Sequence, residues 1–432
     1  MVIKSSRNFS TPPIIKLLTT NTNFFMLKKL LIISSYSPPS IGGAQILYNH
    51  LRGYPVNRYI VLTSFYKIDN ISAQKGTWLE GEYVFYDNLK AKKLDRTNIR
   101  DAKRTLLNKL KGLIKRVKIV RNILGIPIIF SQIYLIKKQG VKMAKNFDTM
   151  LGISDYGPAI ISTYLIHKKT KIPYSIYLFD LYKGNYYPFP GGILSKIYEK
   201  RILNNAEHII VTNQGTKDFY IKRYDYLKNK ITVIYNSVDP FPYINLPEEK
   251  YSPKSPYTIL FTGNVSWPQA RSIKNLVEAV DEMKDINLEM YCPNGSYLKK
   301  IGINYNLKVA SPQEIPNIQR NADILFLPLS WETKGPEIIK TATPGKLTTY
   351  LISGKPILIH APRNTALTNY TKSNNFACVV AEESKEGLQQ AIRKIVSDIN
   401  YSQSLINNAK KTFFKNHDAT KNVHIFNSLF EL

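Results

Sequence analysis

Cysteine is nearly absent from this 432-residue chain: Cys292 and Cys378 are the whole complement. Two cysteines build no disulfide framework, so nothing points to an oxidising compartment. Long hydrophobic runs are missing too. A bilayer-spanning helix needs about 18 or more apolar residues, and the nearest candidate, Ile123 to Ile136, is broken by Gly125, Pro127, Ser131 and Gln132. The N-terminus has no apolar stretch leading to a small-residue cleavage site, which leaves no secretion signal to read. Phosphate and metal signatures fail in the same way. There is no Walker-type GxxxxGK, no HExxH and no GxGxxG; the six histidines are scattered, and no two aspartates stand at i and i+2. A metal-dependent mechanism has no visible ligands, and the expectation is an enzyme without metal or cofactor.

Acidic residues are scarce, with 31 Asp and Glu against 60 Lys and Arg, a net charge of +29. An excess of that size calls for an anionic partner: nucleic acid, a membrane surface or a phosphorylated substrate. With 44% hydrophobic and 21% charged residues the composition is that of a globular protein, which excludes a disordered or fibrous chain. The expected location is cytoplasmic. Met26 opens MLKKLLIISSYSPPSIGGAQ like a natural start, so residues 1–25 are expected to be a dispensable, disordered extension.

From there the pattern is apolar strand, turn, helix, repeated. LLIISSY (Leu30–Tyr36), RYIVLTS (Arg58–Ser64), DTMLGIS (Asp148–Ser154), IPYSIYLFD (Ile172–Asp180) and HIIVTN (His208–Asn213) read as buried strands separated by helices. A proline-rich connector over 241–256 follows, and YTILFTGN (Tyr257–Asn264) opens a second series. Alternation of this kind builds parallel sheets with helices on both faces. The expected architecture is α/β: an N-terminal doubly wound domain over 26–240, the linker, a second over 257–410, and a C-terminal helix over 411–432. Ligands of such sheets bind at the carboxyl ends of the strands, here in a cleft between the domains.

Between Lys92 and Arg121 there are twelve Lys or Arg and two Asp. Leu106, Leu110, Leu113, Val117, Val120 and Leu124 recur at spacings of three and four, giving one helical stripe. A basic amphipathic helix over 100–121, with Lys109, Lys111, Lys115 and Arg116 beside the stripe, has the pattern of a helix lying in an anionic membrane interface. The other reading is a helix packed on the N-terminal sheet with its charges solvated. Nucleic acid finds no zinc-finger spacing or RNP-like aromatic pattern to support it.

Several short elements, taken in order, resemble the retaining glycosyltransferases of the GT-B fold, specifically family four (group 1). YSPPSIGGAQ (Tyr36–Gln45) is similar to the family's first strand exit and Gly-Gly loop. IPYSIYLFDLY (Ile172–Tyr182) resembles a strand ending in a basic residue and Asp, with Phe179 in the basic position. YEKRILNNAEHIIVTNQG (Tyr198–Gly215) and ITVIYNSVD (Ile231–Asp239) resemble the segments that lead into the linker. TGNVSWPQARSIKNLVEA (Thr262–Ala279), IPNIQRNADILFLPLS (Ile315–Ser330) and TPGKLTTYLISGKPIL (Thr343–Leu358) resemble the donor half.

The resemblance implies two Rossmann-like domains facing across a cleft and assigns roles to particular residues. Gly42 and Gly43 would let the backbone approach a ligand, and helix-start amides would receive a phosphate. Gly345 and Lys346 would neutralise a diphosphate leaving group, where negative charge develops as the sugar–phosphate bond breaks. Arg271 would face the same diphosphate, with Asn264 where the family carries an arginine. Asp180 would meet the transferred sugar or the acceptor, although a strand-end aspartate is also a common helix cap. The family's two glutamates are replaced by Thr341 and Thr349, with Glu337 near enough to stand in for the first. Catalysis is thus expected from Asp180 and Lys346, and donor binding from Gly42, Gly43, Asn264, Arg271, Glu337, Gly345, Lys346 and Thr349.

The expected activity is transfer of a sugar from a nucleotide diphosphate sugar to a lipid-linked or polysaccharide acceptor, with retention and without metal, at the inner face of the plasma membrane. The alternative is a catalytically silent GT-B protein that binds sugar nucleotides or scaffolds a glycan-assembly complex.

Overall fold

The apolar runs become strands of two parallel sheets. In the computed structural model, residues 27–38, 43–65, 78–87, 118–155, 157–185, 187, 189–247, 249–331 and 335–432 are described. The first sheet holds β1 (Leu30–Ile33), β2 (Tyr59–Thr63), β3 (Glu82–Phe85), β4 (Thr149–Ile153), β5 (Tyr174–Leu178), β6 (Ile209–Val211) and β7 (Ile231–Val233). Its spatial order is β3-β2-β1-β4-β5-β6-β7. The second holds β8 (Tyr257–Thr262), β9 (Ile286–Tyr291), β10 (Leu307–Lys308), β11 (Ile324–Pro328), β12 (Ile357–His360) and β13 (Cys378–Val380), in the order β10-β9-β8-β11-β12-β13.

Every pairing between these named strands is parallel, and β1 shows why the sequence dictates this. Leu30 pairs with both Tyr59 and Thr149, so β1 lies at the centre of its sheet. All four of its side chains are fully buried, because helices cover both faces. Leu31 and Ile33 join Ile136, Ile160 and Ile202 on one side; Leu30 and Ile32 join Leu47, Tyr59 and Phe426 on the other. The second sheet is sandwiched in the same way, with Phe261 and Phe326 facing one core and Leu260 and Leu325 the opposite one. In each sheet the strand order turns back beside the first strand, at β1/β4 and β8/β11. Those switch points open a crevice at the carboxyl ends of the strands.

Three features differ from the sequence expectations. The strand β3, EYVF, is an edge strand with only Phe85 buried, so it lacks the continuous apolar run of its neighbours. The C-terminal segment is not one helix. A helix over Ile399–Asn416 stays with the second domain, the chain turns at His417, and Asp418 caps a second helix over Ala419–Ser428 through the Thr420 amide at 2.9 Å. That last helix returns to the first domain, where Phe426 and Phe430 fill the core beside Tyr54 and the Lys28 amide donates to the Phe430 carbonyl at 2.7 Å. The linker is also structured: Phe241–Ile244 forms a helical turn, and Tyr251 is buried in the core of the second domain. The extension 1–25, the basic segment 100–117 and with it Lys109, Lys111, Lys115 and Arg116 lie outside the described residues, as does Gly42. The helix Lys118–Ala144 follows directly, and no helix among the described residues is long and apolar enough to cross a membrane.

Candidate active site

The first-domain half of the cleft is a cavity of about 330 Å³ at the ends of β1, β4 and β5. Ser34, Ser35 and Tyr36 enter it from β1, Ser154 and Asp155 from β4, Phe179 and Asp180 from β5, with Gly43, Asn185 and Tyr187 closing the wall. Asp155 accepts from the Gly157 amide at 2.8 Å and the Ala159 amide at 3.2 Å, and from the Ser35 hydroxyl. It therefore ties the β1 exit to the start of the helix Pro158–Thr170. Asp180 is open to the cleft yet ringed by protein, and this loss of hydration raises its carboxyl above the ordinary range. Tyr187, on the same wall, is raised by burial first and by Asp180 and Asp155 next.

Gly43 begins the helix Gly43–Leu51, and its missing Cβ has a specific use here: a Cβ would run into the Phe179 ring. Phe179 in turn lies 4.7 Å from Tyr177 between ring centroids. The position where the resemblance expects a basic side chain thus carries an aromatic ring against Gly43.

Across the cleft, β8 ends at Gly263, whose φ of +102° only glycine adopts readily. A Cβ there would lie 2.7 Å from Lys346 Cε, so the glycine makes room for that side chain. The Lys346 ammonium stands 4.8 Å from the Phe261 ring centroid and donates to the Asn264 carbonyl at 3.4 Å. The side chain is half-buried, and desolvation pulls the ammonium down to about 8. Among the described residues no carboxylate pairs with it. Gly345 beside it faces open space.

The other predicted donor residues are placed less directly. Arg271 is half-exposed and pairs with Glu383 at 2.7 Å. Thr349 donates to the Lys346 carbonyl at 3.0 Å and accepts from the Gln319 amide at 3.1 Å, so its hydroxyl serves the helix Leu347–Ile352. Glu337, on the helix Pro336–Thr341, is held by Arg223 of the first domain, whose Nη2 reaches its two oxygens at 3.0 and 3.2 Å. The same Arg223 donates through Nη1 to Glu199 and to the Lys183 carbonyl, both at 3.0 Å. Glu199 is fully buried and also accepts from the Lys183 amide and the hydroxyls of Tyr220 and Tyr224. Nearby, Asn213 donates to the Thr341 carbonyl at 3.1 Å across the same boundary. Residue-by-residue reading missed Arg223, Glu199 and Asn213; a lone carboxylate in YEKRILNN, on the inward face of its helix, was the available signal for Glu199.

A second opening, of about 490 Å³, lies at the ends of β9 and β10 and is lined by Tyr291, Lys308, Val309, Glu314, Asn317 and Asn321 among others.

Residues 123–240 match the family described as Glycosyltransferase Family 4. The fold is that of solved GT-B structures. Anabaena Alr3699/HepE in complex with UDP and glucose is 13% identical, covers 94% of this chain and 100% of its own, and superposes with a TM-score of 0.63. A glycosyltransferase from Rickettsia africae ESF-5 is 14% identical over 93% of this chain and 97% of its own, with a TM-score of 0.58. S. aureus MnaA bound to UDP is 14% identical over 93% and 95%, with a TM-score of 0.52. No curated protein matches the sequence. The chain thus has the GT-B fold, and its segment 123–240 is similar to family 4 glycosyltransferases, a match that covers the β5 strand end carrying Asp180.

Proposed function

We propose that this enzyme transfers a sugar from a uridine diphosphate sugar to a lipid-linked or polysaccharide acceptor, with retention of configuration and without a metal ion. One observation carries the reading: at the switch point of the second sheet, a half-buried lysine lies over an aromatic ring with no acidic partner among the described residues. A cation kept there without a carboxylate suits an anion that arrives from outside. The diphosphate of the donor is such an anion, and its negative charge grows as the glycosidic bond to phosphate breaks. Two solved structures of this fold, Anabaena Alr3699/HepE and S. aureus MnaA, are complexes with UDP, which favours uridine over other bases. The opening beside Tyr291 and Asn317 has the apolar ring and amide groups that a base needs. Asp180, across the cleft, orients the acceptor or the transferred sugar, and the cleft supplies proximity.

Thermal denaturation with UDP, GDP and their sugars tests the donor, because a ligand that binds only the folded state raises the midpoint by mass action. Stabilisation by UDP and by one of its sugars, with activity indifferent to EDTA, is the expected result. The silent GT-B reading draws on Thr349 and Glu337, whose polar groups are engaged within the protein. Slow release of free UDP from the donor separates the two, since a scaffold releases none.

A further inference from the structure

Two helices of the first domain leave apolar side chains in water at the point where they meet. The helix Lys118–Ala144 buries Ile129, Ile133 and Ile136 but exposes Ile126, Ile128, Phe130 and Tyr134, with Ile128 56% and Phe130 52% exposed. The helix Gly191–Asn205 buries Leu194, Ile202 and Leu203 but exposes Ile193 and Ile197, each about half. A Cβ built on Gly125 would lie 3.0 Å from the Phe189 carbonyl and 3.6 Å from Pro190, so the N-terminal ends of both helices adjoin. Phe189, 40% exposed, sits in the seam. Large apolar groups gathered on one surface mark an interaction site, whereas scattered ones do not.

The surroundings say what occupies it. Farther along each helix the exposed face turns basic: Lys138, whose ammonium lies 5.8 Å from the Tyr134 ring, then Lys142 on the first, and Lys196, Lys200 and Arg201 on the second. The two helices contain a single acidic residue, Glu199, and it is buried against Arg223. An apolar centre with a cationic rim, and no exposed acid on either helix, complements a bilayer with anionic headgroups, apolar atoms entering the interface and lysines meeting phosphate. A protein partner offers no comparable reason for the missing acids.

The patch is also continuous with the site. Phe189 is two residues from Tyr187, which lines the Asp180 cavity, and Ile129 lies against Gly157 beside Asp155.

We infer that this face docks on an anionic membrane through Ile126, Ile128, Phe130, Phe189, Ile193 and Ile197, and presents the mouth of the Asp180 cavity to acceptors carried in the bilayer. The docking stands on the exposed face alone; the lipid-borne acceptor rests on the proposed function above.

The test is co-flotation of the full chain with phosphatidylcholine vesicles, with and without phosphatidylglycerol, at low and high salt. Binding that needs the anionic lipid is expected. Lys138→Gln with Lys196→Gln and Lys200→Gln should weaken it at low salt by about fivefold per cation. Ile128→Ser with Phe130→Ser and Ile193→Ser should remove the part that survives high salt, because burial of apolar surface is not screened. The midpoint of thermal unfolding and its shift by UDP should match the unaltered chain in every variant. Failure to float, or flotation unchanged by the serine substitutions, overturns the docking. A marked drop in midpoint on serine substitution overturns it too, since it means the chain itself covers these residues. So does a self-associated state in sedimentation that the serine variant dissolves. The UDP shift reads the donor site independently, so loss of that shift with flotation intact would count against the proposed transfer and not against the docking.

Discussion

Arg223 and Glu337 join the two domains: one guanidinium grips the Glu337 carboxylate on the second domain while its other nitrogen holds the buried Glu199 on the first. The two halves of the bridge are unequal. Glu199 is buried, whereas the Glu337 side chain is 41% exposed.

Arg223→Gln should therefore destabilise the protein by roughly 3–5 kcal/mol, because it strands a buried carboxylate without its cation. Glu337→Gln should cost less than about 1 kcal/mol, the value of an exposed pair, while loosening the contact between domains. Denaturant unfolding of both variants, read beside the Michaelis constant for the donor, checks the asymmetry. Equal stability losses would show that Glu199 does not depend on Arg223.

Lys346→Ala should lower turnover by about tenfold to a thousandfold, as for removal of other groups that stabilise charge in a transition state, with little change in unfolding. The unaltered enzyme carries a further signature. Its ammonium, pulled down to about 8 by desolvation, is charged below that pH and neutral above it. Donor affinity should fall as pH rises through 8, and the fall should be absent in the alanine variant. The donor-free protein behaves oppositely: between 8 and the unfolded lysine value the unfolded chain holds more protons, so stability rises with pH there. Titrating UDP binding by calorimetry from pH 6 to pH 10 in the two proteins reads the first, and urea midpoints of the donor-free proteins over the same range read the second.

Asp180→Asn should reduce transfer to acceptor far more than it reduces the stabilisation given by UDP, since Asp180 lies on the first-domain wall, away from Lys346. Its carboxyl is held above the usual range by burial, so transfer should fall at low pH as that carboxyl is protonated, and the fall should flatten in the variant. An equal loss of UDP binding and transfer would move Asp180 to the donor side.

Acid should unfold the protein through its buried histidines. His50 stacks on Tyr177, contacts Ser237 at 3.2 Å and is pushed down to about 3 by burial; His360 and His417 are pushed down to about 4 for the same reason. Each is neutral in the fold and charges readily once unfolded. The stability they contribute is whole above pH 6.5 and is lost as pH falls toward 4, at up to about 1.4 kcal/mol per unit for each group. Urea midpoints measured from pH 7 to pH 4.5 should decline, and His50→Gln should lessen the slope. A flat profile would place compensating protons elsewhere.

Much of the frame could be read from the chain. A strand buried on both faces must be apolar throughout, so LLII, YSIYL and ILFLP announce themselves, and helices fill the intervals. Strand ends follow from that, and Asp180 is one of them; Lys346, at the start of the helix Leu347–Ile352, is named instead by the resemblance of its segment. The edge strand EYVF, half-exposed, has no such run. The grip of Arg223 on Glu337 joins positions 114 residues apart on separate domains, and no local pattern encodes it. Phe179 could be seen to replace a basic residue, but only the fold shows that its ring fills the space that Gly43 leaves empty. The break at His417 escaped because apolar periodicity continues on both sides while the packing partner changes from one sheet to the other.

The return of the last helix to the first domain means that the chain crosses between domains twice. The crossings run side by side: the Val238 amide donates to the His417 carbonyl and the Ala419 amide to the Val238 carbonyl, both at 3.2 Å, and Tyr235 stacks on Tyr370 next to them. A single tether would let the halves twist, slide and separate. Two bonded struts behave like a door on two pins, leaving a swing about one axis as the softest relative motion, so any closing of the cleft would carry Asp180 and Lys346 along one arc.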